Sequence, residues 1–325
     1  MKDLKIHYDC DPGQDDAIAL LFALGAGVDV KSISIVGGNV DVNKCTRNAL
    51  QILEFVGRSD IPIYKGAPQP LKRLSQPLPL VFGECGMAGA NLPEPTIAEQ
   101  SLTAEAFLST IDIPKTIVAT GPLTNIALAI QRNDVFAKHV KNIFIMGGCP
   151  YPENIHGHMG NIQVKGSEGW AEYNFAVDPE AANIVFSSDI KNIFLIPLNV
   201  TRTILYGYAV DKALRDCGTK AAILAADILS TVGEEDHIDY ASEKTDQSDP
   251  VRAMHDVIAM AYLTNPEIFE TERLPIRVEI GEPPLAAGQT LIDNKNFDNG
   301  SVTVIKDLNR EKFLELLVIY MRQLL

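Results

Sequence analysis

The sequence is short of basic charge, of long apolar runs and of paired cysteines, and each shortage removes a class of function. Lysine and arginine number 28 against 42 aspartates and glutamates, a net charge of −14. An acidic surface repels a phosphate backbone, so no nucleic-acid partner is expected and a small-molecule partner is favoured. No apolar stretch approaches the ~20 residues that span a bilayer, and the N-terminus MKDLKIHYDCDPG has too short an apolar part for a signal peptide. A cytoplasmic protein with no membrane partner is the expectation. The five cysteines, Cys10, Cys45, Cys85, Cys149 and Cys217, are odd in number, far apart and without a CxxC pair. That argues against a disulfide framework or a thiolate metal site and for reduced thiols.

What is present is the composition of a globular chain, 325 residues with 46% hydrophobic and 22% charged. Short apolar runs alternate with helix-length amphipathic segments. Strands are expected at Leu4–Tyr8, Val30–Val36, Thr116–Ala119, Asn142–Met146 and Asn192–Pro197, and helices at Asp15–Ala26, Asn43–Gly57, Pro122–Gln131 and Pro179–Ser187. The stretch Thr219–Leu263 reads as helical with a polar break at Glu243–Pro250. A strand pair, Leu274–Ile280 with Ser301–Ile305, and a helix, Arg310–Leu325, close the chain. This rhythm predicts an α/β fold: one domain, 1–325, with a mostly parallel central sheet and helices on both faces. Such sheets bind ligands beyond the carboxyl ends of their strands, so the active site is expected there.

The segment Asp9-Cys10-Asp11-Pro12-Gly13-Gln14-Asp15-Asp16 places four carboxylates at one such strand end and at a helix start. A helix dipole stabilises a carboxylate by only about 0.3–1 kcal/mol, too little to gather four like charges. A cation is the missing charge, and an all-oxygen ligand set points to Ca²⁺ or Mg²⁺ rather than zinc. Each aspartate alone would read as a helix cap or a solvated turn residue; the cluster as a whole does not. His255-Asp256, before the apolar run Val257–Leu263, offers an imidazole and a second carboxylate, or simply a cap and a surface histidine. The Thr120–Asn125 turn suits capping as well as a carbonyl donated to a hard cation. Glu172 and Asn174 share a face if that segment is extended. Trp170, the single tryptophan, is expected to pack as core or lid.

Taken together, Asp9–Ala17, Gly37-Gly38-Asn39, Thr120–Asn125, Met146-Gly147-Gly148, Ala171–Asn174, Asp178–Ala182 and His255-Asp256 resemble the motifs of the calcium-dependent nucleoside hydrolases. The blocks follow that family's order over nearly the whole chain. The resemblance implies Ca²⁺ held by Asp11, Asp16, Asp256 and the main-chain oxygen of Thr124. It makes Asp11 the base acting on a water that the ion holds, and puts His255 beside the leaving base. Asp15, Asn39, Glu172, Asn174 and Asn161 match positions that grip ribose, and Met146 lines the sugar pocket. Phe82 stands where inosine-uridine-preferring members carry histidine, free either to stack on a base or to pack in its loop. Tyr240 is a further candidate base contact. The implied reaction is hydrolysis of inosine, uridine or a related ribonucleoside to ribose and base, by a homodimer or homotetramer. The alternatives are a purine-preferring or broad-specificity hydrolase, a non-catalytic Ca²⁺/nucleoside-binding member and a Mg²⁺-dependent phosphatase of the haloacid dehalogenase type.

Overall fold

The computed structural model describes residues 4–73, 83–87, 90–152, 157–163, 169–231, 252–281, 286–295 and 302–324. Its strands, in chain order, are β1 (Lys5–Cys10), β2 (Asp29–Ile35), β3 (Ile63–Lys65), β4 (Thr116–Ala119), β5 (Asn142–Met146), β6 (Ile162–Gln163) and β7 (Trp170–Ala171). There follow β8 (Asn192–Ile196), β9 (Leu205–Tyr206), β10 (Arg252–Ala253), β11 (Phe269–Leu274), β12 (Ile276–Val278), β13 (Thr290–Ile292) and β14 (Val302–Leu308). Eight form one sheet in the order β11-β14-β8-β5-β4-β1-β2-β3. Every neighbour in it is parallel except the edge pair β11–β14.

Two apolar cores sit on the two faces, and the strand period of two deals side chains alternately between them. Val118, Phe144, Met146 and Ile196 join the core under helices Gln14–Gly25, Lys220–Ser230, Asp256–Thr264 and Arg310–Gln323. Ile117, Ala119, Ile143, Ile145 and Leu195 join the core under Ala104–Leu108, Thr124–Arg132 and Pro179–Phe186. Strands covered on both sides must be apolar throughout, which is why these runs stand out in the sequence. Helix Gln14–Gly25 is buried almost all round because three other helices pack on it, Asp256–Thr264 among them. That pairing matters for the site, because both helices open with aspartates.

One expected strand pair is corrected. The partner of β14 is Phe269–Leu274, while Ile276–Val278 pairs separately with Thr290–Ile292. Pro275 interrupts the run that had looked continuous, and a proline is tolerated only where no ladder N–H is required. The polar break Glu243–Pro250 lies outside the described residues, and no helix among the described residues is long and apolar enough to cross a membrane.

Candidate active site

At the carboxyl ends of β1, β2, β4 and β5 the chain turns through glycine-bearing loops. Gly13 caps helix Gln14–Gly25, and its N–H donates to Asp16 Oδ2 at 3.1 Å. Asp15 and Asp16 therefore occupy the first helical turn, where orphan N–H groups favour negative charge. Asp256 opens the neighbouring helix in the same way. Ligand oxygens of Asp15, Asp16 and Asp256 all lie within 4.8 Å of one another.

The carboxylates are oriented by neutral donors. Asn39 donates its backbone N–H to Asp11 Oδ2 at 2.7 Å, and its Nδ2 reaches the Asp11 carbonyl at 3.1 Å and Asp16 Oδ2 at 3.2 Å. The Thr120 hydroxyl donates to Asp16 Oδ1 at 2.7 Å and lies 2.9 Å from Tyr8 OH. Glycines wall Asp11 in: a Cβ on Gly38 would fall 2.1 Å from Asp11 Oδ2, and one on Gly121 would fall 2.6 Å from Oδ1. That Oδ1 is buried and has no hydrogen-bond partner among the described residues.

Burial and like charge act together here. Burial first, then the Asp16 charge, holds the Asp11 carboxyl well above the usual range. Burial first, then Asp15, raises Asp16. Asp256 is raised by burial and then by the charges of Asp15, Asp16 and Asp11. A cation would offset the repulsion among these carboxylates. The all-oxygen donors and the unpartnered Asp11 Oδ1 fit a hard divalent ion.

The remaining expected residues gather around this centre. Met146 closes β5, and Asn174 Nδ2 donates to its carbonyl at 3.2 Å and to the Thr120 carbonyl at 2.8 Å. Glu172 is buried. Its carboxylate accepts N–H bonds from Asn174 (3.0 Å), Gly148 (2.9 Å) and Phe175 (3.2 Å), yet burial pushes its pKa up to about 7. The segment is not extended: Glu172 is the N-cap of helix Tyr173–Val177, and Asn174 lies in its first turn. Asn161 is exposed at the rim, accepting the Tyr173 N–H at 3.0 Å. Thr124 begins helix Thr124–Arg132, and its hydroxyl donates to Asp178 at 2.7 Å. His255, half-buried, caps the helix of Asp256. Phe82 and Tyr240 lie outside the described residues. Trp170 stacks on His158, with ring centroids 4.1 Å apart.

Asp15 joins Asp16 and Asp256 in the compact trio, and one placement differs from the sequence reading of the acids. Asp9 leaves the cluster altogether, because strand alternation turns it to the opposite face, where Ser34 and Asn125 donate to its Oδ2. There burial pushes Asp9 up to about 7, and His7 bridges Ser32 and Ser34 beside it. Tyr8 was not singled out from sequence, and Thr120, Tyr173 and Asp178 lay within the motif blocks without a side-chain role of their own. The Tyr173 hydroxyl donates to the Gly38 carbonyl at 2.9 Å, tying the strand ends together.

A parallel sheet that gathers carboxylates, amides and hydroxyls at its carboxyl edge defines an α/β enzyme with a seat for a hard cation. More narrowly, the chain belongs to the inosine-uridine preferring nucleoside hydrolase family, which it matches over residues 6–315. It is 35% identical over 324 residues to the pyrimidine-specific ribonucleoside hydrolase RihA of Citrobacter koseri, covering 97% of this chain and 96% of that protein. Among solved structures it resembles the purine-preferring ribonucleoside hydrolase from Gardnerella vaginalis, with TM-score 0.85, 26% identity and 98% of each chain covered. A plant nucleoside hydrolase, the PpNRh1 enzyme, matches with TM-score 0.80, 28% identity and the same coverage. Membership of this family removes the phosphatase alternative.

Proposed function

We propose that the chain hydrolyses the N-glycosidic bond of ribonucleosides, releasing ribose and the free base. The observation that carries this reading is the meeting of Asp15, Asp16 and Asp256 at the strand ends, next to the buried, unpartnered Oδ1 of Asp11. Ca²⁺ is the proposed ion, with Asp11, Asp16, Asp256 and the Thr124 carbonyl as its ligands and Asp15 alongside. Bound there, it supplies positive charge that acidifies water and anchors ribose hydroxyls.

Asp11 takes one proton from the attacking water, and the remaining hydroxyl bonds to C1′ as the C1′–N bond breaks. Its Asn39 hydrogen bond fixes the carboxylate for that transfer. Positive charge that develops on the ribosyl ring is stabilised by the surrounding carboxylates, as in the cleavage of O-glycosides. Asp15, Asn39, Glu172, Asn174 and Asn161 hold the sugar hydroxyls, and Met146 packs against the ring. His255 donates a hydrogen bond, and then a proton, to the departing base and regains a proton from solvent. Phe82 and Tyr240 are proposed as the base's further neighbours.

Pyrimidine ribonucleosides are proposed as the first substrates, since relatives named pyrimidine-specific share 35% identity over 97% of the chain. A purine preference is the second reading, favoured by the likeness to the purine-preferring structure. The chain is proposed to act as one domain, in a homodimer or homotetramer in the cytoplasm. A reducing-sugar assay over uridine, cytidine, inosine, adenosine and guanosine, with and without chelator, tests the reading. Nucleoside binding by calorimetry with no release of reducing sugar from any of the five would overturn it.

A further inference from the structure

His255 is held by more than its place in the chain. After β8 comes the short helix Leu198–Thr201, and the β9–β10 ribbon returns the later segment to it, with the Met254 N–H donating to the Ile204 carbonyl at 3.0 Å. The His255 backbone is helical, φ −82° and ψ −65°, at the start of helix Asp256–Thr264. Its Nδ1 lies 2.8 Å from the hydroxyl oxygen of Thr201, a residue with no exposed surface.

A threonine hydroxyl has one proton to give. Its other acceptor is the Leu198 carbonyl, 3.4 Å away and shared with the Arg202 N–H at 3.0 Å. Were Nδ1–H the donor, the buried hydroxyl would have, among the described residues, only this 3.4 Å contact for its own proton, longer than the roughly 2.5–3.0 Å of an O–H···O bond; donation to Nδ1 at 2.8 Å avoids that. A neutral imidazole that accepts at Nδ1 carries its own hydrogen on Nε2. We propose that Thr201 is a positioning residue that fixes His255 as the Nε2–H tautomer, so that the ring nitrogen remote from Thr201 is the donor offered to the leaving base. This rests on the role given to His255 above.

Two substitutions separate hydroxyl from shape: Thr201→Val keeps the branching and loses the donor, and Thr201→Ser keeps the donor. With uridine or inosine, Thr201→Val is expected to lower kcat by about tenfold or more, with the loss of the acid-base contact itself, roughly 100- to 10,000-fold, as its upper bound, and with KM nearly unchanged. Thr201→Ser should restore most of that loss. Turnover of 4-nitrophenyl riboside, whose leaving group needs no proton, should stay within about twofold of wild type in both. Ring ¹⁵N NMR, with the His255 signals identified by their loss in His255→Gln, should show the hydrogen on Nε2 in the wild type and a mixture in Thr201→Val. A wild-type hydrogen on Nδ1 overturns the proposal, as does equal loss on nucleoside and nitrophenyl substrates, or no loss on either. Absence of nucleoside turnover in the wild type would instead sink the assigned reaction, and the NMR result would still decide the tautomer.

Discussion

Gly121→Ala is the sharpest probe of the site, because the atom nearest its added methyl would be a carboxylate oxygen of Asp11. It would sit 2.6 Å from Asp11 Oδ1, 3.0 Å from Asp11 Cγ and 2.9 Å from Val36 Cγ1. Ordinary contact begins near 3.4 Å, so the carboxylate must recede by about 0.8 Å. It has nowhere to go without loss. Oδ2 is bound to the Asn39 N–H at 2.7 Å, and the Gly38 backbone blocks the far side. A hydrogen bond to a charged group is worth about 1.5–3 kcal/mol, and a misplacement near 1 Å costs about 100-fold in rate, which converts to roughly 2.7 kcal/mol. The two estimates agree, so kcat/KM for a ribonucleoside should fall about 100-fold. Gly121 does not occupy the left-handed region, and alanine adds no backbone strain there. Gly27→Ala is the control: its φ is +76° with nothing within 4 Å, so it should cost about 1–2 kcal/mol of stability and no activity. Steady-state kinetics, Ca²⁺ calorimetry and thermal melts on both variants decide the matter. If Gly121→Ala turns over within about threefold of wild type and melts normally, Asp11 does not act where the structure holds it.

Further outcomes follow from the same geometry. A chelator should abolish turnover and Ca²⁺ restore it, and Ca²⁺ at 100 times its Kd should add about 2.7 kcal/mol to the free energy of unfolding; a melting temperature indifferent to Ca²⁺ would contradict the site. The metal-free protein should lose stability as pH rises from about 4.5 to about 7. Glu172 and Asp9 are acids whose folded pKa is raised to about 7, so across that window the folded state binds more protons than the unfolded one. Chelated protein that melts higher at pH 7.5 than at pH 5 would show the sign to be wrong. With ribose hydroxyls gripped by ion and carboxylates, inosine should be preferred over 2′-deoxyinosine by on the order of 10⁴-fold in kcat/KM, and equal turnover would refute that grip.

How far these residues could be read from sequence depends on whether their signal is local. Asn142–Met146 and Thr116–Ala119 were legible to the residue, because strands buried on both faces are plain apolar runs. Phe269–Leu274 was not: as FETERL on an exposed edge it has the charge pattern of a loop, and only its pairing with Val302–Leu308 makes it a strand. Four aspartates in eight residues announced a charged centre, yet their number misled about Asp9, whose facing is decided by Ser34 and Asn125 across the sheet. Glu172 gave no cap signal, since glutamate is not among the favoured N-cap residues. Tyr8, Thr120 and Asp178 act through contacts with residues far away in sequence, and no spacing rule reaches them.

Those distant contacts have a common chemistry. The groups that orient Asp11 and Asp16 are backbone N–H, an asparagine amide and the hydroxyls of Thr120 and Tyr8, each of which fixes an oxygen without cancelling its charge. A lysine in any of these places would orient a carboxylate equally well and neutralise it, and the edge of the sheet would then attract neither a divalent ion nor a ring that becomes positive as its glycosidic bond breaks. Neutral donors leave the negative charge in place, at the cost of raised proton affinity when no cation is bound. The same unspent charge that raises the proton affinity of Asp16 and Asp256 is therefore what suits them to receive an ion and to stabilise a cationic sugar.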